Sequence, residues 1–113
     1  MRACGVLMPV FSLPSRYGIG SLGAEAFQFV DQMKAASQSF WQVLPMGPTG
    51  YGDSPYQSYS TFAGSPYYID LEELIREGLL TEAECDAVDF GGEEKVDYGK
   101  LYQGRESLLK KAF

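Results

Sequence analysis

Two short apolar runs separated by one amphipathic segment constrain the fold more than any other feature of this sequence. GVLMPVF, from Gly5 to Phe11, is continuous in apolar residues, and SFWQVLP, from Ser39 to Pro45, combines two aromatic with two aliphatic residues. Short runs of this kind are typical of parallel strands that are buried on both faces. Parallel strands need a crossover connection, which is usually a helix. The sequence therefore predicts a β–α–β unit.

The segment between the two runs has the period of a helix. We expect this helix to extend from Leu22 to Ala36, with Ser21 as its N-cap. Its apolar residues recur at spacings of three and four, which predicts one face that packs inward. The residues of that face are Leu22, Ala26, Val30 and Met33, flanked by Phe29.

Helical patterns dominate the second half of the chain. DLEELIREGLL, residues 70–80, predicts a helix that ends at Gly78, and Thr81 with Glu84 forms a capping box that opens another short helix. Only the brief segment from Tyr67 to Leu71 is a further strand candidate. A last helix is predicted over residues 100–113, with an apolar side made of Leu101, Leu108, Leu109 and Phe113.

The predicted elements do not complete a sheet. Two parallel strands with a few helices leave strand edges unpaired and apolar strand surface uncovered. With 113 residues the chain is one domain at most. We therefore expect it to be a piece of a longer α/β domain.

Charge and composition exclude several classes of function. The formal net charge of −6 argues against a nucleic-acid partner, because phosphate binding needs a clustered basic surface. Most of the acidic residues lie between positions 70 and 98, where we expect a solvated face rather than a metal site. The chain contains no histidine, which removes imidazole-based catalytic triads and most zinc sites from this segment. We expect no cofactor and no metal.

The cysteines and the N-terminal segment predict a cytoplasmic protein. Cys4 and Cys85 lack metal-ligand spacing, and in the absence of a secretory signal they are expected to be reduced thiols. The apolar run near the N-terminus is broken by Pro9 and is too short for a signal peptide or a membrane span.

One long segment has no period at all. PMGPTGYGDSPYQSYSTFAGSPYY, from Pro45 to Tyr68, carries six aromatic rings among prolines, glycines and serines. A tyrosine in such a loop can either pack locally as a plug or contact a ligand, and the residues leave both open. Asp53, between Gly and Ser, is expected to form an Asx turn rather than to act as a catalytic carboxylate.

Three stretches carry a resemblance to a known family: GVLMPVFSLPSRYGIGSLGAEAFQFVD, SFWQVLPMGPTGYGDSPYQSYSTFAGSPYYIDLEELIREGLL and VDYGKLYQGRESLLKKAF. Together they resemble the N-terminal part of the amylomaltases, the 4-α-glucanotransferases of glycoside hydrolase family 77. The resemblance implies a (β/α)8 TIM barrel of several hundred residues. Residues 1–113 would supply about its first two strands and their helices, so that the barrel is incomplete in this chain.

The resemblance also implies a site. Barrel active sites lie in the loops after the strands, and the loop of residues 45–68 follows strand two. Tyr56 is expected beside the sugar at the cleavage point, and Tyr51 is expected to bind glucan away from it. The other substrate-binding residues implied for this wall are Asp53, Ser54 and Gln57. Trp41 is expected in the core or the barrel lining, and Phe62, Tyr67 and Tyr68 are expected to anchor the return of the loop.

The implied reaction is transfer of a segment of an α-1,4-glucan to the 4-hydroxyl of an acceptor by a retaining double displacement. It needs two carboxylates about 5 Å apart, and no stretch of this chain resembles the family's catalytic motifs. We therefore expect no catalytic residue here, and no activity from the chain by itself. A non-catalytic carbohydrate-binding module and a tyrosine-rich interaction module remain as alternatives, although the alternating strands of a β-sandwich are absent.

Overall fold

A parallel pair of short strands joined by one helix forms the first part of the molecule. The computed structural model describes residues 2–113. Strand β1, Gly5–Leu7, pairs in parallel with β2, Phe40–Gln42, so that Val6 lies opposite Trp41. Helix α1, Ala24–Ala35, is the crossover between them. The predicted β–α–β unit is confirmed.

Both strands are shorter than the apolar runs that predicted them. The residues after Pro9 leave the strand and form a 3₁₀ turn, Val10–Ser12, because proline cannot donate to the ladder. β2 ends at Gln42, before the proline of the second run. The ladder continues by one bond beyond each end, from Ser39 N–H to the Cys4 carbonyl at 2.9 Å and from Met8 N–H to the Gln42 carbonyl at 3.0 Å.

Helix α1 begins two residues later than predicted. Its N-cap is Gly23, and the predicted cap Ser21 is wrong, because the Ser21 hydroxyl donates instead to the Asp70 carboxylate at 2.7 Å. Two members of the predicted apolar face, Ala26 and Met33, are buried. Its other two members, Leu22 and Val30, are exposed.

Three helices form the second part of the molecule: α2, Leu71–Arg76; α3, Glu82–Asp86; and α4, Tyr98–Ala112. At the end of α2, Gly78 has the left-handed φ of 78° that glycine favours, and Leu79 N–H bonds the Leu74 carbonyl at 2.9 Å. Gly78 was predicted as the C-cap; the C-cap is Glu77, and Gly78 follows it in the left-handed conformation that ends the helix.

The capping box at the start of α3 is also confirmed. Thr81 accepts from the Glu84 N–H at 3.3 Å, and the Glu84 carboxylate accepts from the Thr81 N–H at 2.9 Å. The same carboxylate accepts from the Lys111 ammonium group on α4. These contacts join α3 to the end of α4.

Two predictions in this part are wrong. The strand proposed for Tyr67–Leu71 is absent, because Pro66–Tyr68 forms a 3₁₀ turn capped by the Ser65 side chain and Asp70 is the N-cap of α2. In α4, Leu101 and Leu108 are buried and Leu109 is partly buried, as predicted. Phe113, the fourth predicted member, is not buried, since its ring is fully exposed.

The connection between β1 and α1 contributes to both hydrophobic clusters of the molecule. Val10 and Leu13 pack with Ala26 beneath the strand pair. Tyr17 and Ile19 belong to a larger cluster in the helical part, whose other buried members are Leu71, Leu80, Cys85, Phe90, Leu101 and Leu108. The first loop therefore holds the β–α–β unit and the helices together.

Arg105 of α4 is the largest fully buried side chain in the described part of the chain, with 1% of its surface exposed. Its guanidinium group donates to the Tyr17 carbonyl at 3.5 Å and to the Ile69 carbonyl. Burial lowers the pKa of Arg105 to about 10, while the negative charge of Asp70 acts in the opposite direction. The side chain therefore remains charged at neutral pH and bridges two loops from inside.

The acidic segment of residues 70–98 lies mainly at the surface, and basic side chains from elsewhere pair with part of it. Arg16 contacts Glu82 at 2.6 Å and Asp86 at 2.9 Å, and Lys100 contacts Asp89 at 2.6 Å. Residues 2–113 contain no group of three or more acidic, Cys or His side chains that could hold a metal ion. None of the helices described is long and apolar enough to cross a membrane.

Apolar side chains are uncovered on both the strand pair and α1. Leu7, Phe40 and Val43 are exposed at the strands, and Phe27 joins Val30 on the open side of α1.

Both cysteines are free, with Cys4 exposed and Cys85 buried.

We predict that Arg105→Ala destabilises the fold strongly, because the carbonyl of buried Tyr17 and the partly buried carbonyl of Ile69 lose their donor, and loss of a buried partner costs about 1–3 kcal/mol. The matched control is Arg76→Ala, whose side chain is exposed and pairs only with Glu73, so that its loss should cost less than about 1 kcal/mol. Thermal unfolding measures both. Equal melting temperatures for the two variants would contradict the bridging role of Arg105.

We also predict a pH-dependent contribution from Glu84. Hydrogen bonds from Lys111 and from the Thr81 backbone lower the pKa of Glu84 from 4.5 to about 2. The resulting stability is present above the unfolded pKa and is lost as the pH falls toward 2. Glu84→Gln should therefore melt lower than the parent at pH 7, and this difference in melting temperature should narrow as the pH falls from 4.5 to about 2, the range set by the two pKa values.

Glu93→Gln is the control for this measurement, because Glu93 is exposed and takes no part in the ion pairs described above. If the difference in melting temperature between Glu84→Gln and the parent stays constant with pH, the charge of Glu84 does not contribute to stability.

Candidate functional site

The aromatic loop of residues 45–68 starts just after the carboxyl end of β2 and returns to the start of α2. Four of its six rings, those of Tyr51, Tyr56, Tyr59 and Phe62, are exposed. Tyr56 has 72% of its surface open to solvent. Within residues 2–113 these rings are therefore not packing plugs, and their apolar faces are free.

The first half of the loop is a small lobe held by its own backbone. An isolated antiparallel bridge joins Thr49 to Ser58. Inside it, Asp53 N–H bonds the Gly50 carbonyl and Gln57 N–H bonds the Ser54 carbonyl, both at 3.1 Å. Two successive turns therefore fix the course of the backbone that carries the exposed rings.

The rest of the loop is fixed by serines. The Ser58 hydroxyl donates to the Ser60 carbonyl at 2.7 Å, and the Ser60 hydroxyl accepts from Ala63 N–H at 3.2 Å. At the base, Ser65 N–H bonds the Met46 carbonyl at 2.8 Å. This last bond closes the loop, because it joins the outgoing limb to the returning one.

Asp53 shapes the lobe, but not in the way that was predicted. The Asx-turn prediction is wrong, because the acceptor of such a turn needs an N–H two residues ahead and Pro55 has none. The Asp53 carboxylate accepts instead from the Thr49 hydroxyl at 3.2 Å, and the residue has a left-handed φ of 55°. Ser54 makes the side-chain turn, accepting from Tyr56 N–H at 3.3 Å.

The predicted site residues thus fall into two groups. Asp53 and Ser54 are half-buried and hold the turn, whereas Tyr51, Tyr56 and Gln57 are exposed around it. The structure places all five on the same lobe. Asp53 is the only acidic residue of the loop.

The rings near the return of the loop have different roles. Tyr67 and Tyr68 are half-buried and pack against the larger and the smaller cluster respectively, as predicted for anchors. Phe62 is not an anchor, since its ring is fully exposed. Trp41 belongs to the core, as predicted: its indole N–H donates to the Met8 carbonyl at 2.8 Å and its ring meets Phe29 edge-on at 5.0 Å.

Burial and the charge of Asp53 raise the pKa of the Tyr67 hydroxyl. Tyr98, whose ring centre lies 6.2 Å from that of Tyr67, has its pKa raised by burial first, with smaller contributions from Tyr68 and Asp53. Both phenols therefore stay protonated at neutral pH and keep a donor for hydrogen bonds.

A groove of about 540 Å³ runs between the loop and α4. Sequence reasoning missed it, because it is made by elements far apart in the chain. A signal was available in α4, where Tyr102, Glu106 and Leu109 recur at spacings of four and three and hence lie on one side of the helix. The aromatic and apolar lining of the groove includes Pro48, Tyr59, Tyr67, Tyr102, Leu109 and Phe113.

Similar proteins agree closely in sequence. A 4-alpha-glucanotransferase of Streptococcus pneumoniae serotype 4 is 52% identical over 112 residues, which cover 98% of this chain and 22% of that protein. The 4-alpha-glucanotransferase of Thermus thermophilus is 51% identical over 112 residues, covering 99% and 22%. This chain therefore spans less than a quarter of the length of the curated relatives it matches.

Similarity extends to the three-dimensional structure. The amylomaltase of Streptococcus agalactiae, solved in complex with acarbose, superposes with a TM-score of 0.94 at 44% sequence identity. The superposition covers 99% of this chain and 23% of the amylomaltase. The family model described as 4-alpha-glucanotransferase matches residues 8–113, and the chain accordingly belongs to the 4-alpha-glucanotransferase family, glycoside hydrolase family 77.

Proposed function

We propose that this chain is the N-terminal part of a 4-α-glucanotransferase, in which the loop of residues 45–68 forms part of the glucan-binding wall. The complete enzyme would transfer a segment of an α-1,4-glucan to the 4-hydroxyl of an acceptor glucan or glucose. One observation carries the proposal: the loop holds exposed rings on a backbone fixed by its own hydrogen bonds. Its likeness to an amylomaltase that binds acarbose supports a sugar as the ligand.

The chemistry of the lobe suits a glucan. A glucose ring has apolar C–H faces and a rim of hydroxyl groups, so that aromatic platforms can cover the faces while polar side chains bond the rim. Tyr56 is the proposed platform at the cleavage point, and the exposed amide of Gln57 is in reach of the same ligand. Tyr51, across the turn, binds glucan further from that point in this proposal.

Asp53 and Ser54 act mainly through the backbone. The Thr49–Asp53 bond and the Ser54 turn hold the segment that presents Tyr56. A segment ordered before binding loses less conformational entropy when the sugar arrives. The lobe is therefore suited to hold a flexible oligosaccharide chain at one fixed position along the site.

The catalytic carboxylates belong to another part of the polypeptide. A retaining transfer needs a nucleophile and an acid about 5 Å apart, and the loop contains only Asp53, which the Thr49 hydroxyl already engages. No residue of this chain is proposed as catalytic, and no cofactor or metal is required by this chemistry. The proposed substrates are maltooligosaccharides and amylose in the cytoplasm.

A (β/α)8 barrel is the proposed architecture of the complete protein. The parallel β1–β2 pair and α1 form one repeating unit of such a barrel. The uncovered residues Leu7, Phe40 and Val43 would then pack against later strands. A β-sandwich carbohydrate-binding module is not supported, because the described residues form only two three-residue strands.

We predict that Tyr56→Ala in the complete enzyme reduces transfer much more than stability. Loss of a stacking platform should cost about 1–3 kcal/mol of binding, by analogy with aromatic stacking on nucleobases. Removal of this exposed ring leaves no cavity, so the melting temperature should fall only slightly. Tyr56→Phe should keep most of the activity, since the platform is retained.

Phe27→Ala is the matched control, because Phe27 is exposed to the same degree, 71%, but lies on α1. Disproportionation of maltotriose and the melting temperature are measured on all three variants. A large fall in melting temperature with normal specific activity would mean that Tyr56 is a plug. Unchanged activity and stability in Tyr56→Ala would contradict the role of Tyr56 as a sugar platform.

A further inference from the structure

The segment that ends the aromatic loop is held from outside by three contacts, two from the loop before α1 and one from α4. We call residues 66–70 the return limb. Leu22 N–H bonds the Tyr68 carbonyl at 3.1 Å, and Arg105 donates to the Ile69 carbonyl. The third contact is the 2.7 Å hydrogen bond from the Ser21 hydroxyl to the Asp70 carboxylate.

Asp70 uses its two carboxylate oxygens for two different elements. Oδ1 accepts from the Ser21 hydroxyl, in the loop before α1. Oδ2 accepts from Glu73 N–H at 2.9 Å, as the N-cap of α2. One side chain therefore joins the first βα loop, the return limb and α2.

Gly23 makes this contact possible. A methyl group at Gly23 would lie 2.4 Å from the Asp70 carboxyl carbon and 2.6 and 2.7 Å from its two oxygens. Gly23 does not have a left-handed conformation, so close approach is the only reason in this structure for glycine there. Ser21 beside it is buried, with 4% of its surface exposed. The pocket for the carboxylate is thus built by the loop before α1.

We propose that Asp70 is a positioning residue, and that Ser21, Gly23 and Asp70 form a latch that fixes the aromatic loop against the start of α1. Tyr67 and Tyr68 lie just before Asp70, and the bond from Ser65 N–H to the Met46 carbonyl ties the residue that precedes the return limb to the outgoing part of the loop. Opening the latch therefore frees the base of the whole loop. The effect of the latch on activity rests on the proposed function, whereas its effect on the loop does not.

Two variants open the latch from the side of α1 without touching the aromatic loop. Ser21→Ala removes one hydrogen bond, and Gly23→Ala pushes the Asp70 carboxylate away. Their matched controls are Ser107→Ala, which removes a serine bond within α4, and Gly92→Ala, whose added methyl group meets nothing within 4 Å.

The first readout is limited chymotrypsin digestion of the complete enzyme, with cleavage sites assigned by mass spectrometry. Chymotrypsin cuts after aromatic residues, and the loop exposes Tyr51, Tyr56, Tyr59 and Phe62. Cleavage in the loop should become about tenfold faster in both latch variants, because a hydrogen bond to a charged group resists local opening. The control variants should be cleaved like the parent.

The second readout separates positioning from stability. Asp70→Ser keeps an N-cap for α2, but the serine side chain is too short to reach the Ser21 hydroxyl as the carboxylate does. With maltotriose as donor, its KM should rise about three- to tenfold while kcat changes less than about twofold, because the loop binds sugar but carries no catalytic group. The melting temperature should fall less than in Arg105→Ala, because the cap is kept while the Ser21 hydrogen bond and the negative charge near Arg105 are lost.

Loop cleavage that stays at the parent rate in Ser21→Ala and in Asp70→Ser would overturn the latch, even if Gly23→Ala fails to fold. Equal falls in kcat and kcat/KM would overturn the positioning role. Faster loop cleavage with an unchanged KM would support the latch and contradict the proposed sugar-binding role of the loop, so that the two proposals fail separately.

Discussion

The parallel pairing of β1 with β2 is the constraint on which the rest of the structure depends. Because the strands run in the same direction, their carboxyl ends lie at one edge, and the loops that follow them start side by side. The first of these loops supplies Ser21 and Leu22, which bond the end of the second. The aromatic lobe is held in place by this adjacency, and α4 adds Arg105 from the other side.

Local signals in the sequence predicted the elements well. The Thr81–Glu84 capping box and the glycine end at Gly78 depend only on residues within four positions, so they could be read directly. The β–α–β unit followed from the two apolar runs. The strand ends were wrong where a 3₁₀ turn after Pro9 competes with the ladder.

Tertiary contacts explain the other errors. Ser21 has the composition of an N-cap, but Asp70, 49 residues away, takes its hydroxyl. Arg105 could not be predicted as a buried bridge, because its acceptors lie in two distant loops. In the candidate site the exposure of Tyr51 and Tyr56 agrees with their predicted place in the loop, whereas the exposure of Phe62, the groove beside α4 and the true partner of Asp53 needed the folded chain.

The central claim is that the loop of residues 45–68 binds glucan in the complete enzyme. The most direct measurement is a crystal structure of that enzyme with a maltooligosaccharide bound at the cleavage point. Our account predicts a glucose ring in van der Waals contact with the Tyr56 side chain, within about 4 Å, and the lobe in the conformation described here. A bound oligosaccharide that touches no residue of the loop would contradict it.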